Sequence, residues 1–169
     1  YVVERKLKNG EAIRLRPICS EDEVAIEAFH KNLSEHSVRQ RYFAFKDLNE
    51  RTAHTRLVHI CANDFDHQIA LVAEPLNSQV IMGVGRLTRI GNGKVADLKI
   101  LIGDAFQGSG LGTQILTELL RIAKIEGVSE ITASILSENG GMLHLLKKFG
   151  FELQESSESP IVFARRITS

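Results

Sequence analysis

The chain reads as one α/β domain, a mixed and mostly antiparallel sheet of about six or seven strands flanked by helices. Three observations predict this. Short β-branched or alternating runs are interleaved with stretches in which apolar residues recur at helical spacing. One of these runs feeds through a glycine-rich loop into a long amphipathic helix and then into another strand, the layout of a parallel crossover. Finally, 169 residues with 43% hydrophobic and 25% charged are ordinary for one globular domain with a two- or three-layer core.

Residues 11–18 (E-A-I-R-L-R-P-I) alternate apolar with charged and suggest a half-buried strand ending near Pro17. Ser20-Glu21-Asp22-Glu23 has the form of a capping box opening a helix that runs to about Leu33. A second helix, rich in Arg, covers 35–42, and Asn49 is a candidate cap for a third over 50–60. The turn residues Asn63-Asp64-Phe65-Asp66 lead into strand 68–74. After Pro75 to Ser78 comes strand 80–89, where Gly83 and Gly85 weaken the pattern or mark a bulge. Gly91-Asn92-Gly93 signals a hairpin into strand 94–102. Apolar residues at 115, 116, 119, 120, 122 and 123 define the long helix, which Gly127 ends. Strand 130–136, a helix from Asn139 to Lys148, and strands 151–156 and 161–167 complete the order β-ααα-βββ-α-β-α-ββ. No internal repeat, low-complexity tract or linker interrupts it.

The chemistry concentrates at Gln107-Gly108-Ser109-Gly110-Leu111-Gly112-Thr113, between a strand and a helix. Glycines there admit positive φ and let bare N–H groups approach a ligand where the helix dipole favours an anion, a phosphate or pyrophosphate. A P-loop needs Lys after the last glycine, and none follows Gly112. The dinucleotide fingerprint G-x-G-x-x-G needs Gly where Thr113 stands, so it fits poorly. The remaining pattern is Q-x-x-G-x-G, at Gln107, Gly110 and Gly112.

Composition narrows the partners. Lys plus Arg equals Asp plus Glu at 21 each, so no global field attracts nucleic acid or an anionic membrane. Cys19 and Cys61 fit no metal spacing and no disulfide framework; buried, reduced thiols and a cytoplasmic location are expected. No apolar run is long enough to span a bilayer. Six histidines (His30, His36, His54, His59, His67 and His144) show no zinc-like spacing, so no metal is expected. Arg39 and Arg41, followed by aromatics, are read as a cleft wall or core cluster rather than an RNA-binding patch. The opening at Tyr1 without Met suggests a piece of a longer polypeptide, with residues 1–169 as a single domain.

The Q-x-x-G-x-G loop in this setting resembles the acyl-CoA pyrophosphate loop of the GCN5-related N-acetyltransferase (GNAT) superfamily. Ser137-Glu138-Asn139, followed by Leu143 to Phe151 with Lys148 and Gly150-Phe151, resembles that superfamily's E-N-x-x-x-x-x-L-x-x-K-x-G-F ending. The two motifs span roughly the last 75 residues. In the front half, I-R-L-R-P-I-C-S-E-D-E, S-E-H-S-V-R-Q-R-Y-F and I-A-L-V-A-E are similar to the bacterial protein lysine acetyltransferase (Pat) subgroup, often fused to an NDP-forming acyl-CoA synthetase-like region or a regulatory module.

That resemblance implies a single-domain GNAT fold whose splayed parallel strand pair holds acetyl-CoA. Backbone groups of Ile100, Leu101 and Ile102 would pair with the pantetheine. The loop Gln107, Gly108, Ser109, Gly110, Leu111, Gly112 and Thr113 would hold the pyrophosphate. Asn139 would bond the pantetheine arm, with Leu143 and Leu146 at the thioester end. Asp97 stands where the subgroup commonly carries a Glu and is the expected general base, one methylene shorter and so reliant on a water; a polar residue on a half-exposed strand is the competing reading. The N–H of Ile102, or of a neighbour at the strand's end, would serve as oxyanion donor. Many relatives place a general-acid Tyr where this chain has Leu146, which leaves thiolate protonation to water or another group. His144 ranks below Asp97 as a base.

The implied activity is acetyl transfer to an amine by direct attack in a ternary complex, with a protein lysine as acceptor, for example on an acyl-CoA synthetase. A small-amine acetyltransferase and a non-catalytic acyl-CoA-sensing domain remain alternatives.

Overall fold

The computed structural model describes residues 1–168; Ser169, the end of the expected domain, lies outside them. The strands are β1 (Val3–Lys6), β2 (Ala12–Pro17), β3 (Gln68–Pro75), β4 (Gly83–Ile90), β5 (Val95–Ile102), β6 (Glu130–Leu136), β7 (Glu152–Ser156) and β8 (Ser159–Ile167). They form one sheet in the order β1-β2-β3-β4-β5-β6-β8-β7, antiparallel except for β5 beside β6. The sheet therefore has eight strands, one more than the sequence pattern indicates. The addition is β1, a short edge strand of half-exposed charged residues whose period carries little signal.

The helices are α1 (Glu23–Lys31), α2 (Glu35–Tyr42), α3 (Leu48–Arg51), α4 (His54–Cys61), α5 (Leu111–Ile125) and α6 (Gly140–Lys148). On one face of the sheet, Ile115, Leu116 and Leu119 of α5 pack on Leu15, Leu71, Leu87 and Leu98. On the other face Ile26 and Phe29 of α1 and Leu57 of α4 cover Ala70 and Val72. Strand β3, enclosed by both layers, is accordingly a continuous apolar run. Gly83 and Gly85 mark no bulge, because β4 pairs with β5 in unbroken register through both. Gly85 instead leaves room for α5 to lie directly on the sheet. None of the helices is long and apolar enough to cross a membrane among the described residues.

Two early elements differ from the sequence pattern. The helix expected over 50–60 is two helices, α3 capped by the side chain of Asp47 and α4 starting after Ala53, whose extended backbone breaks the run. Arg51 at the end of α3 turns inward and donates to the carbonyls of His30 and Lys46, a tertiary demand that local propensity does not express. At the start of the first helix the reciprocal cap is made by Cys19 and Asp22, with the Cys19 N–H donating to Asp22 Oδ2 at 2.8 Å, one residue earlier than expected. Asp22 is placed by Arg16, whose Nη1 and Nη2 donate to it at 2.8 Å each.

Arg16 also belongs to a cross-strand cluster with Arg14 around the buried carboxylate of Glu74, at 2.6–3.0 Å. Burial alone would raise the pKa values of Glu74 and Asp22, but hydrogen bonds from the arginines outweigh it and hold both below the ordinary carboxylate range. A carboxylate with a lowered folded pKa stabilises fully above its unfolded value, and that contribution disappears as pH falls through the folded value. Thermal unfolding temperature should therefore be flat near neutrality and fall as the pH drops below about 4.5. Glu74→Gln should lower the neutral plateau and flatten part of that acid slope. Parallel curves for parent and variant would contradict the assignment.

Candidate active site

The site is built where two neighbouring strands part. β5 and β6 pair only at Val95↔Glu130, Ala96↔Ile131 and Asp97↔Thr132. Beyond Asp97, residues 98–102 remain paired with β4 on one flank and have no strand partner on the other among the described residues. A strand flank without a partner presents main-chain donors and acceptors to whatever enters the gap. The gap widens into a cleft of about 430 Å³, a size typical of ligand sites.

Ile102 leads through Gly103 and a single 3₁₀ turn, Asp104–Phe106, into the glycine loop. Gly108 has φ 76° and Gly110 has φ 88°, both in the left-handed region that favours glycine. Gly110 is the residue that caps α5, so the 15-residue helix begins at the cleft wall, where Leu111, Gly112 and Thr113 of its first turn have N–H groups with no intrahelical partner. The loop is braced from behind. Gln107 Nε2 donates to Ser37 Oγ at 3.0 Å and to the Ile102 carbonyl at 3.1 Å. Asp104 accepts from the N–H and hydroxyl of Ser34, the cap of α2, at 3.0 and 2.6 Å. Burial would raise the Asp104 pKa, and the Ser34 hydrogen bonds hold it low instead.

Of the residues singled out in the sequence, the cleft wall includes Ile100, Leu101, Ile102, Gln107, Gly108, Gly110, Leu111, Gly112, Thr113 and Asn139. Asn139 Oδ1 caps α6 by accepting from the Met142 N–H at 3.2 Å, which leaves the amide nitrogen for a ligand. Four others lie elsewhere. The Ser109 hydroxyl turns back to the Phe106 carbonyl at 2.5 Å. Leu146 is fully buried in the core, and Leu143, half-buried, is not part of the cleft wall. The helix presents Met142 and Leu145 there instead, each one residue earlier. Asp97 sits at the apex of the fork, the last paired residue of β5, with its carboxylate held by Lys99 Nζ at 3.0 Å.

The sequence pattern misses other wall residues. Lys8, in the turn between β1 and β2, reaches the cleft because its N–H donates to the Ser109 carbonyl at 3.1 Å and its side chain runs across Gly110. Lys148 at the far end of α6 also lines it. Lys8 beside the helix N-terminus, with Lys148, Lys99 and Arg41 elsewhere on the wall, supplies the local positive potential that a chain of zero net charge lacks overall. Lys148 stands in the quoted motif and could have been suspected; Lys8 has no sequence signal, since only the β1–β2 fold carries it to residue 109. Ser37, Gln40 and Arg41 of α2 form the opposite wall. Arg39 points away and pairs with Glu138 at 2.9 Å, linking α2 to the turn before α6. No Asp, Glu or Tyr lines this cleft among the described residues; His144 and Ser134 do. Cys61 is buried as expected, but Cys19, at the start of the first helical turn, is exposed; desolvation is still the main cause that raises both thiol pKa values, Cys61 to about 11, so neither is an activated nucleophile.

Comparison with known proteins gives the same picture. Residues 12–152 match the family model described as Acetyltransferase (GNAT) domain. The curated Acetyltransferase Pat of Mycolicibacterium smegmatis is 26% identical over 147 residues, which is 86% of this chain but 43% of that protein's length. The crystal structure of the GNAT domain of S. lividans PAT superposes with a TM-score of 0.89 at 23% identity, over 98% of this chain and 96% of that one. The PaiA N-acetyltransferase of Thermoplasma acidophilum, solved in complex with coenzyme A, superposes at a TM-score of 0.73 and 16% identity, over 92% of this chain and 98% of that one.

Proposed function

The chain belongs to the GNAT acetyltransferase family and is an N-acetyltransferase, and from that premise we propose that it carries the acetyl group of acetyl-CoA to a protein lysine by direct attack in a ternary complex. The observation that carries the reading is the fork between β5 and β6 opening onto a positive-φ glycine loop at the N-terminus of α5. The 26% identity with a Pat acetyltransferase and the coenzyme A complex of a structural neighbour support it. A lysine on an acyl-CoA synthetase is the acceptor the Pat likeness favours. In this reading residues 1–169 form one module of a longer polypeptide with a regulatory or synthetase-like partner region.

The residues present fit the co-substrate. Main-chain N–H groups of the loop from Gln107 to Thr113, with Lys8 and Lys148, would hold its phosphates. The open flank of Ile100 to Ile102 and the amide of Asn139 would hold the pantetheine arm. Acetyl-CoA supplies an activated thioester. Within the chain, Asp97 receives the proton of the attacking amine through a water at the fork's apex, because it stands outside the cleft wall. The Ile102 N–H donates to the carbonyl oxygen. Water protonates the departing thiolate, since no tyrosine faces the cleft among the described residues.

Asp97→Asn keeps the shape and removes the base. Its kcat/KM for a lysine acceptor should fall by about a hundredfold, with coenzyme A affinity unchanged. Thiol release followed across pH, together with calorimetry, measures both. A variant as fast as the parent would sink the base assignment and leave the acetyl-CoA site standing.

A further inference from the structure

Behind α2 a second, smaller cavity of about 50 Å³ opens beside the cleft and shares Arg41, Lys99 and Leu101 with it. Its remaining polar wall is His30, Tyr42, Arg56 and Arg86, and no carboxylate lines it among the described residues. Arg56 and Arg86 are satisfied by neutral partners alone among the described residues. Arg56 donates to the Arg51 carbonyl at 3.1 Å and the Tyr42 hydroxyl at 2.9 Å. Arg86 donates to Gln68 Oε1 at 2.6 Å and the Ile60 carbonyl at 2.7 Å. Arg41 makes no hydrogen bond to a described residue; its guanidinium lies over the Tyr42 ring, 4.8 Å from the centroid. The one anion nearby, Asp97, is taken by Lys99.

Such a cluster is costly. Burial is the main cause that lowers the pKa values of Arg41 and Arg86; Arg56 lowers both further and Arg41 lowers Arg86, while Tyr42 and Asp97 offset only part of this at Arg41. The same burial, with Arg51, Arg56 and Arg41, depresses His30 to about 4, so it is neutral and adds no counter-charge at neutral pH. Like charges around a cavity, compensated only in part by the protein itself, are offset when an anion enters.

We propose that this cavity holds a carboxylate of the acceptor, docked against Arg41 with Arg56 and Arg86 behind it, while the acceptor's amine lies against β5. The inference rests on the reading that the adjoining cleft binds acetyl-CoA. It names the acceptor class: an amine accompanied by a carboxylate. The carboxylate belongs either to an acidic residue beside the acceptor lysine or to a free amino acid itself. A bare lysine cation near these arginines would be repelled, and the carboxylate cancels that repulsion.

The test uses matched acceptors with parent protein and Arg56→Gln, a residue that lines only the small cavity. Lysine peptides carrying a neighbouring Glu or Gln form one pair; a free amino acid and its amide form the other. With the parent, the carboxylate member of at least one pair should have a kcat/KM about tenfold or more higher. Which pair responds identifies the carboxylate's source. In Arg56→Gln that ratio should collapse toward one, with circular dichroism and coenzyme A affinity unchanged. In parallel, glutarate should raise the parent's unfolding temperature and leave that of Arg56→Gln unmoved, a readout independent of transfer. Equal use of both members by the parent, or an unchanged ratio in the variant, would overturn the proposal, as would absence of the glutarate shift in the parent. Failure of coenzyme A to bind, with the glutarate shift intact, would instead overturn the acetyl-CoA reading.

Discussion

Gly110→Val should leave a folded protein whose affinity for coenzyme A is at least about a hundredfold weaker. Gly110 sits at φ 88°, ψ 5° as the cap of α5. An L-residue there costs about 1–2 kcal/mol, which a domain of ordinary stability survives. The ligand side does not survive it. A Cβ on Gly110 lies 3.3 Å from Lys8 Cγ and 3.4 Å from Lys8 Cε, so the lysine that crosses the loop must shift, and the added methyl groups cover the N–H groups meant for the phosphates. Gly112→Val separates obstruction from backbone strain, because Gly112 has no positive φ and its Cβ meets only Leu145 Cδ2 at 3.3 Å. Both variants should lose binding in calorimetry while unfolding cooperatively. If both kept the parent's affinity, the diphosphate would have to lie elsewhere.

Gly85→Val should be the most destabilising single change in the sheet. A Cβ on Gly85 would lie 2.2 Å from Ile115 Cγ2 and 2.8 Å from Leu119 Cδ1, both on buried side chains of α5. Neither has free volume to retreat into, so the helix must lift from β4. The expected loss in urea unfolding is more than about 3 kcal/mol, at or beyond the upper end for overpacking, or accumulation as insoluble protein. A change under about 1 kcal/mol would mean that α5 does not rest on β4 as described.

Much of this arrangement was legible because local and tertiary signals agree. The run from Val95 to Ile125 carries a strand, a loop that favours glycine and a helix of consistent apolar period, and each is present. Gly127 ends α5 at φ 71°, as its position suggested. What escaped depends on partners distant in sequence. Asp22 caps the first turn because Arg16 draws it there, and Arg51 ends α3 because carbonyls of His30 and Lys46 wait for it. In α6, Leu143 and Leu146 suit the apolar stripe as well as Met142 and Leu145 do, and only tertiary packing decides which pair borders the cleft. Arg41, Arg56 and Arg86 come from three separate elements, so their convergence has no one-dimensional trace.

The single parallel junction in the sheet has a mechanical consequence. Five strands on one side and three on the other are stitched by only three residue pairs among the described residues. On the proposed reading, a carrier lying along the open flank of β5 supplies the missing rungs. Such a carrier would bridge the two parts of the sheet along the stretch where β5 and β6 diverge.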